Sequence, residues 1–162
     1  MSTTTSAQPV ALTTDALLAH WQGHRRLTRR VIEAFPEDKL GTFSVGGMRP
    51  FGALAMEMLV MAAPMVRGAA TGEWATPDWA AAPLPKAELL RRWDESTAEI
   101  DELWPSIPAA RFQETMTAFG QYTDRLHALL LYVVDNEVHH RGQGYVYLRA
   151  LGIEPPAFWV RD

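Results

Sequence analysis

The run TDRLHALLLYVVDNEVHHRGQGYVYLRALGIEPP, residues 123–156, decides the fold. Thr123-Asp124 offers a helix start, after which Leu126, Leu129, Leu130, Val133, Tyr147 and Leu148 keep to one face of a 3.6-residue period. The pattern stops at Leu151, where Gly152 suits the left-handed residue just past a helix end and Ile153 with Pro155-Pro156 completes the stop. A long last helix is therefore predicted from about 124 to 151.

Working back toward the N-terminus, three more stretches repeat the same rhythm. Thr13-Thr14-Asp15 supplies an N-cap and a first-turn acid for a helix over 15–34, carrying Leu17, Trp21, Thr28, Val31, Ile32 and Phe35 inward until Pro36 stops it. Arg25, Arg26, Arg29 and Arg30 fall roughly opposite that stripe and read as a solvated face. Pro36 to Arg49 reads as a loop. Pro50 then opens a second helix over 50–69 with Phe51, Leu54, Met58, Met61, Ala62 and Met65 in its stripe and Pro64 as a late kink. A third helix covers 86–104 through Leu89, Leu90, Trp93, Ile100, Leu103 and Trp104. The connection Gly72–Pro85 is too long for a tight hairpin, so a long crossover is expected between the second and third helices. Residues 105–121 have no decisive period, and no segment shows sustained alternation. The expected architecture is all-α: a flexible tail over 1–12 and one four-helix-bundle domain over 13–162.

Composition bounds the function. The chain has 162 residues, 48 % apolar and 21 % charged, with a formal charge of −4. Such a chain folds, and it has no basic field to draw it onto nucleic acid. With no cysteine there is no disulfide, thiolate ligand or cysteine nucleophile, so a metal site must use His, carboxylate or amide groups. The polar start lacks the basic and apolar runs of a signal peptide, and no later stretch reads as a membrane span; the expectation is a cytoplasmic protein with no membrane partner.

Three polar residues interrupt the apolar stripes. Glu57 lies three after Leu54 and four before Met61, and burying a lone carboxylate costs several kcal/mol unless it is paired, protonated or bound to a cation. Asn136 and His140 lie one turn apart on the inward face of the last helix, the spacing by which a helix offers two ligands to one ion. The alternatives are a stripe-edge Glu57 paired with an arginine, an Asn136 that bonds helix to helix, and a hydrogen-bonded core His140. His24 falls near the inward stripe as a packing residue or a support to the site; His20 and His127 read as solvated, and His139 points about 100° from His140. Gly142 and Gly144 each cost about 1 kcal/mol in a helix interior, which suggests close approach by a neighbouring element.

The string Asp135-Asn136-Glu137-Val138-His139-His140-Arg141-Gly142-Gln143, continued through Tyr147-Leu148-Arg149 to Pro155-Pro156, resembles the last-helix signature of the DinB/YfiT-like family. Phe51-Gly52-Ala53-Leu54 followed by Glu57 is similar to its second-helix motif. The resemblance implies a bundle, commonly dimeric, whose divalent metal is held by three histidines at the positions of 57, 136 and 140. Only His140 keeps the histidine; Glu57 and Asn136 replace the others. A Glu/Asn/His triad is harder in ligand type than three imidazoles, shifting the expected ion from Zn or Ni toward Mn or Fe. The implied function is a metal-dependent enzyme, a hydrolase or a thiol S-transferase acting on a small-molecule substrate or thiol. The alternative is a non-catalytic, stress-related bundle with a vestigial metal site. Six tryptophans, more than a small core readily hides, add to the expectation of a homodimer.

Overall fold

Thr13 opens the first helix, its hydroxyl accepting from the backbone N–H of Ala16 at 3.1 Å. In this computed structural model, which describes residues 11–162, α1 spans Thr14–Ala34. Residues 1–10 of the expected tail lie outside the described residues. Phe35 precedes Pro36 and is pushed to extended backbone, which ends α1. One helical turn, α2 (Glu37–Leu40), then buries Leu40. The second long helix, α3 (Phe51–Thr71), follows Pro50, continues through Pro64 and closes on Gly72 at φ 82°. The third, α4, spans Lys86–Leu103 and the last, α5, Leu126–Ala150. At its end Gly152 adopts φ 74°, and the N–H groups of Gly152 and Ile153 return to the carbonyls of Arg149 and Leu148 at 3.0 and 2.9 Å.

The structure departs from the expectations at several points, among them the helical turn α2 inside the expected loop. Residues 105–121 and the proposed helix start resolve into short 3₁₀ turns and a hairpin, β1 (Thr115–Ala118) against β2 (Tyr122–Arg125). Thr123 and Asp124 are therefore strand residues; the Thr117 and Thr123 hydroxyls bond across the hairpin at 2.9 Å, and the first N–H of α5 is satisfied by the Glu114 carbonyl at 2.9 Å. Four-residue strands are too short to show alternation in a sequence. The expected long connection between the second and third long helices is present as residues 72–85; α3 packs beside both α4 and α5, and α1 beside both as well, so the diagonal steps are α1 to α3 and α4 to α5. Contrary to expectation, Phe51–Thr71 is long and apolar enough to cross a membrane, yet 67 % of that stretch is buried by the other helices.

Glycine sets one of the closest contacts between helices. A Cβ on Gly144 would stand 2.5 Å from the Phe51 ring, so α5 presses directly onto the start of α3. Gly142, two residues earlier, faces open space, so of the two glycines only Gly144 meets the expected close approach.

A buried ionic cluster joins α1, α4 and α5. Glu137, 2 % exposed, accepts from Thr28 Oγ1 at 2.6 Å and from Trp21 Nε1 at 3.2 Å. Arg25 and Arg141 approach its two oxygens at 3.9 and 4.0 Å. Arg25 also stacks on Trp93, 4.2 Å from the ring centre, and donates to Thr97 Oγ1 at 2.8 Å. Its burial corrects the solvated reading of that residue: it is 1 % exposed, because a guanidinium with an aromatic face, a carboxylate and a hydroxyl around it tolerates an interior site. Arg29 remains on the surface and pairs with Asp94 at 2.7 Å, while Arg26 and Arg30 hold carbonyls of the C-terminal segment at 2.9 and 2.8 Å.

His24 belongs to this cluster. Arg141 Nη2 sits 2.9 Å from its Nδ1, and burial, with Arg141, Arg161 and His20 nearby, pushes its pKa down to about 3. His127 is half-buried against the Phe112 carbonyl at 2.8 Å rather than solvated. His139 does point away, bonding Gln143 at 2.9 Å on the surface.

Removing the Glu137 charge leaves two buried guanidinium groups without their shared counter-ion. Glu137→Gln is expected to lower stability by about 3–5 kcal/mol in urea unfolding; an unchanged midpoint would show that the cluster is not a structural tie. A histidine held neutral in the fold but protonated when unfolded draws protons to the unfolded state. Stability should therefore decline as pH falls from 6.5 toward 3, and His24→Asn should flatten that slope in melts taken across the same window.

Candidate functional site

The contact between α3 and α5 brings the three sequence-selected side chains to one atom. Glu57 projects from α3, and Asn136 with His140 from successive turns of α5. Asn136 Nδ2 donates to Glu57 Oε1 at 3.0 Å, and His140 Nε2 lies 2.9 Å from the same oxygen. The fourth member escaped the sequence reading. Arg49, on the loop just before α3, places Nη2 2.6 Å from Glu57 Oε2. Its backbone carbonyl accepts from the Tyr147 hydroxyl at 3.1 Å, so α5 also fixes the loop that delivers it. The arginine partner was among the alternatives for Glu57, but a loop position has no periodicity to reveal it.

The electrostatics follow from the contacts. Burial pushes the Glu57 carboxyl up, but hydrogen bonds from Asn136, His140 and Arg49 outweigh it and hold the group at about 2. His140 is lowered from its ordinary value, burial outweighing the carboxylate's pull. It is neutral at pH 7, and facing a carboxylate it carries its proton on Nε2. Among the described residues, its Nδ1 and the Asn136 Oδ1 are buried without partners.

As arranged, these residues do not fit a divalent ion. Coordination needs the lone pair of His140 Nε2, which moves the ring proton to Nδ1, where no acceptor receives it; ligating histidines ordinarily have one there. The amide must turn to present oxygen. The only formal negative charge of the set is already neutralised by Arg49, whose guanidinium would stand beside the ion. Among the described residues, no group of three His, Asp or Glu side chains is placed to hold a metal.

Glu57 also borders a cavity of about 590 Å³, within the range of small-molecule sites. Met61 and Met65 of α3 and Leu129 and Tyr132 of α5 form its sides, and the β-hairpin with Trp79 of the connection closes over it. The stretch whose period was undecided thus supplies part of the site.

Comparison with known proteins bears on the fold and the family. The DinB family matches over residues 1–162. A DinB-like protein from Bacillus cereus superposes with a TM-score of 0.74 at 16 % identity, covering 91 % of this chain and 99 % of its own. A protein ascribed to the DinB family from Exiguobacterium sibiricum gives 0.65 at 28 % identity, covering 88 % and 95 %. A mutant of a mycothiol-dependent maleylpyruvate isomerase gives 0.62 at 16 % identity, covering 82 % of this chain and 61 % of that one, a likeness of fold. No curated protein matches significantly. With a family match along its whole length and a bundle shared with these structures, the chain belongs to the DinB family.

Proposed function

We propose that this DinB-family bundle binds a small organic molecule in the cavity beside Glu57, and that the Glu57 centre works without a divalent ion. The observation that carries the reading is the Arg49 guanidinium on Glu57 Oε2, opposite the oxygen taken by Asn136 and His140. A carboxylate so fully donated to is an anchor. A general base is most effective with a pKa near the working pH, and Glu57 is held at about 2. His140, already donating to it, has no partner to receive a proton relayed through Nδ1.

The reading that competes is the metal-dependent hydrolase or thiol S-transferase. The convergence of Asn136 and His140 within 3.0 Å of one Glu57 oxygen favours it, as does the fold likeness to a mycothiol-dependent isomerase. Calorimetric titration with Zn, Ni, Mn and Fe(II) salts separates the two. Wild type is expected to take up no divalent ion at micromolar concentration. Arg49→Met combined with Glu57→His and Asn136→His removes the resident cation, installs three imidazoles and should bring zinc or nickel binding with it. Wild-type binding that disappears in Glu57→Gln overturns the metal-free reading in favour of the metalloenzyme.

We also propose a homodimer. Trp21, Trp93 and Trp104 are buried, but Val138, Phe158 and Trp159 are 40 %, 61 % and 71 % exposed and border one shallow depression along α5 and the C-terminal segment. Light scattering at micromolar concentration should give about twice the 18.1 kDa chain mass; a monomer mass rejects the dimer.

A further inference from the structure

The chemistry of the cavity walls narrows what could occupy it. Four aromatic side chains border it: Trp79, Phe119, Tyr122 and Tyr132. Its charged groups are two carboxylates, Glu57 and Asp124, beside the neutral Gln121 and Thr123, and among the described residues no lysine, arginine or histidine lines it. Trp79 and Phe119 meet as perpendicular walls, their ring centres 5.8 Å apart at 83°. Phe119 is held there by a left-handed backbone, φ 54°, at the tip of the hairpin, and a second perpendicular contact with Trp74 at 5.6 Å backs it. A bulky residue adopts that conformation at a cost, and such strain persists where surrounding contacts over-determine it. Trp79, Tyr122 and Tyr132 are 40 %, 50 % and 57 % exposed, aromatic surface that the fold does not use for its own packing.

Three ligand classes can be compared on these walls. An anion would face two carboxylates and find no cation among the lining residues. A neutral apolar molecule would cover the rings but strip water from Asp124, which has one oxygen on the Arg125 N–H at 2.7 Å, and offer nothing in return. A positively charged organic group satisfies both parts at once, because ring faces attract cations and the carboxylates supply the counter-charge. Arg49 neutralises Glu57 from outside the lining, which leaves Asp124 as the uncompensated charge toward the cavity.

We propose that this cavity is a binding site for a small organic cation, a substituted ammonium whose alkyl groups pack on the Trp79, Phe119, Tyr122 and Tyr132 rings and whose charge faces Asp124. The proposal names the ligand class for the pocket described above and rests on the reading that this cavity takes a small organic molecule. A tightly solvated inorganic cation would not gain from the rings in the same way, since it must shed its water first.

Calorimetry with choline and with 3,3-dimethylbutan-1-ol, its uncharged isostere, provides the test on the full chain. Choline is expected to bind about tenfold tighter than the alcohol. Trp79→Leu, Tyr132→Leu and Asp124→Asn should each weaken choline severalfold, and raising the salt should weaken it further in wild type but little in Asp124→Asn. Trp79 and Tyr132 are exposed on separate elements, so a folding defect in one variant leaves the other to decide. Equal affinity for the alcohol, no choline binding at tens of millimolar, or wild-type affinity in all three variants overturns the proposal. The two readings fail separately. Choline binding to a chain that also takes up zinc sinks the metal-free centre and keeps the cation pocket, whereas absence of both does the reverse.

Discussion

A carboxylate in the middle of a helical bundle needs partners on every side, and Glu137 obtains them from α1 and from its own helix. Thr28 and Trp21 of α1 donate to it, Arg25 brings α4 in through Trp93 and Thr97, and Arg141 ties α5 back onto His24 of α1. No apolar residue at 137 could specify so much, because hydrophobic contact is non-directional while each of these bonds fixes an angle. The rotational setting of α5 follows from it. With Glu137 turned toward α1, its neighbour Asn136 and the residue one turn on, His140, face α3, and the functional centre exists because the structural one is satisfied.

The adjacent positions 136/140 and 137/141 thus serve two faces of one helix, about 100° apart. The first pair meets Glu57 and the second meets Arg25, Thr28 and His24. Both centres use arginine against glutamate, but in different surroundings. The Glu137 cluster is closed to solvent, whereas Arg49 is 53 % exposed on its side chain and anchors the rim of a cavity. Surface screening makes the second pair the weaker tie and the more easily rearranged.

Much of this was legible in the sequence. Apolar period, proline stops and the Gly152 signal gave α1, α3, α4 and α5 to within a few residues, and the inward positions of Glu57, Asn136 and His140 placed three polar side chains together. What escaped had no periodic signature. Arg49 comes from a loop, where only the folded path of the chain says which way a side chain reaches. Arg25 and Glu137 were hidden by the rule that charges face water, which fails where a guanidinium and a carboxylate satisfy each other. The hairpin was missed because its four-residue strands give no room for alternation, and with it went the roof of the cavity.

The approach of Phe51 to Gly144 has a mechanical meaning for the centre as well. Position 144 lies one turn beyond His140, and Phe51 opens the helix that carries Glu57, so this contact acts as a ruler between the two helices. Ring against bare backbone has no softer arrangement to relax into, since the interior is close-packed and a glycine has no rotamer to change. The gap that Glu57, Asn136 and His140 share is therefore calibrated by a contact that involves none of their side chains, and chemistry at this site can be retuned by evolution through the thickness of a single methyl group placed outside it.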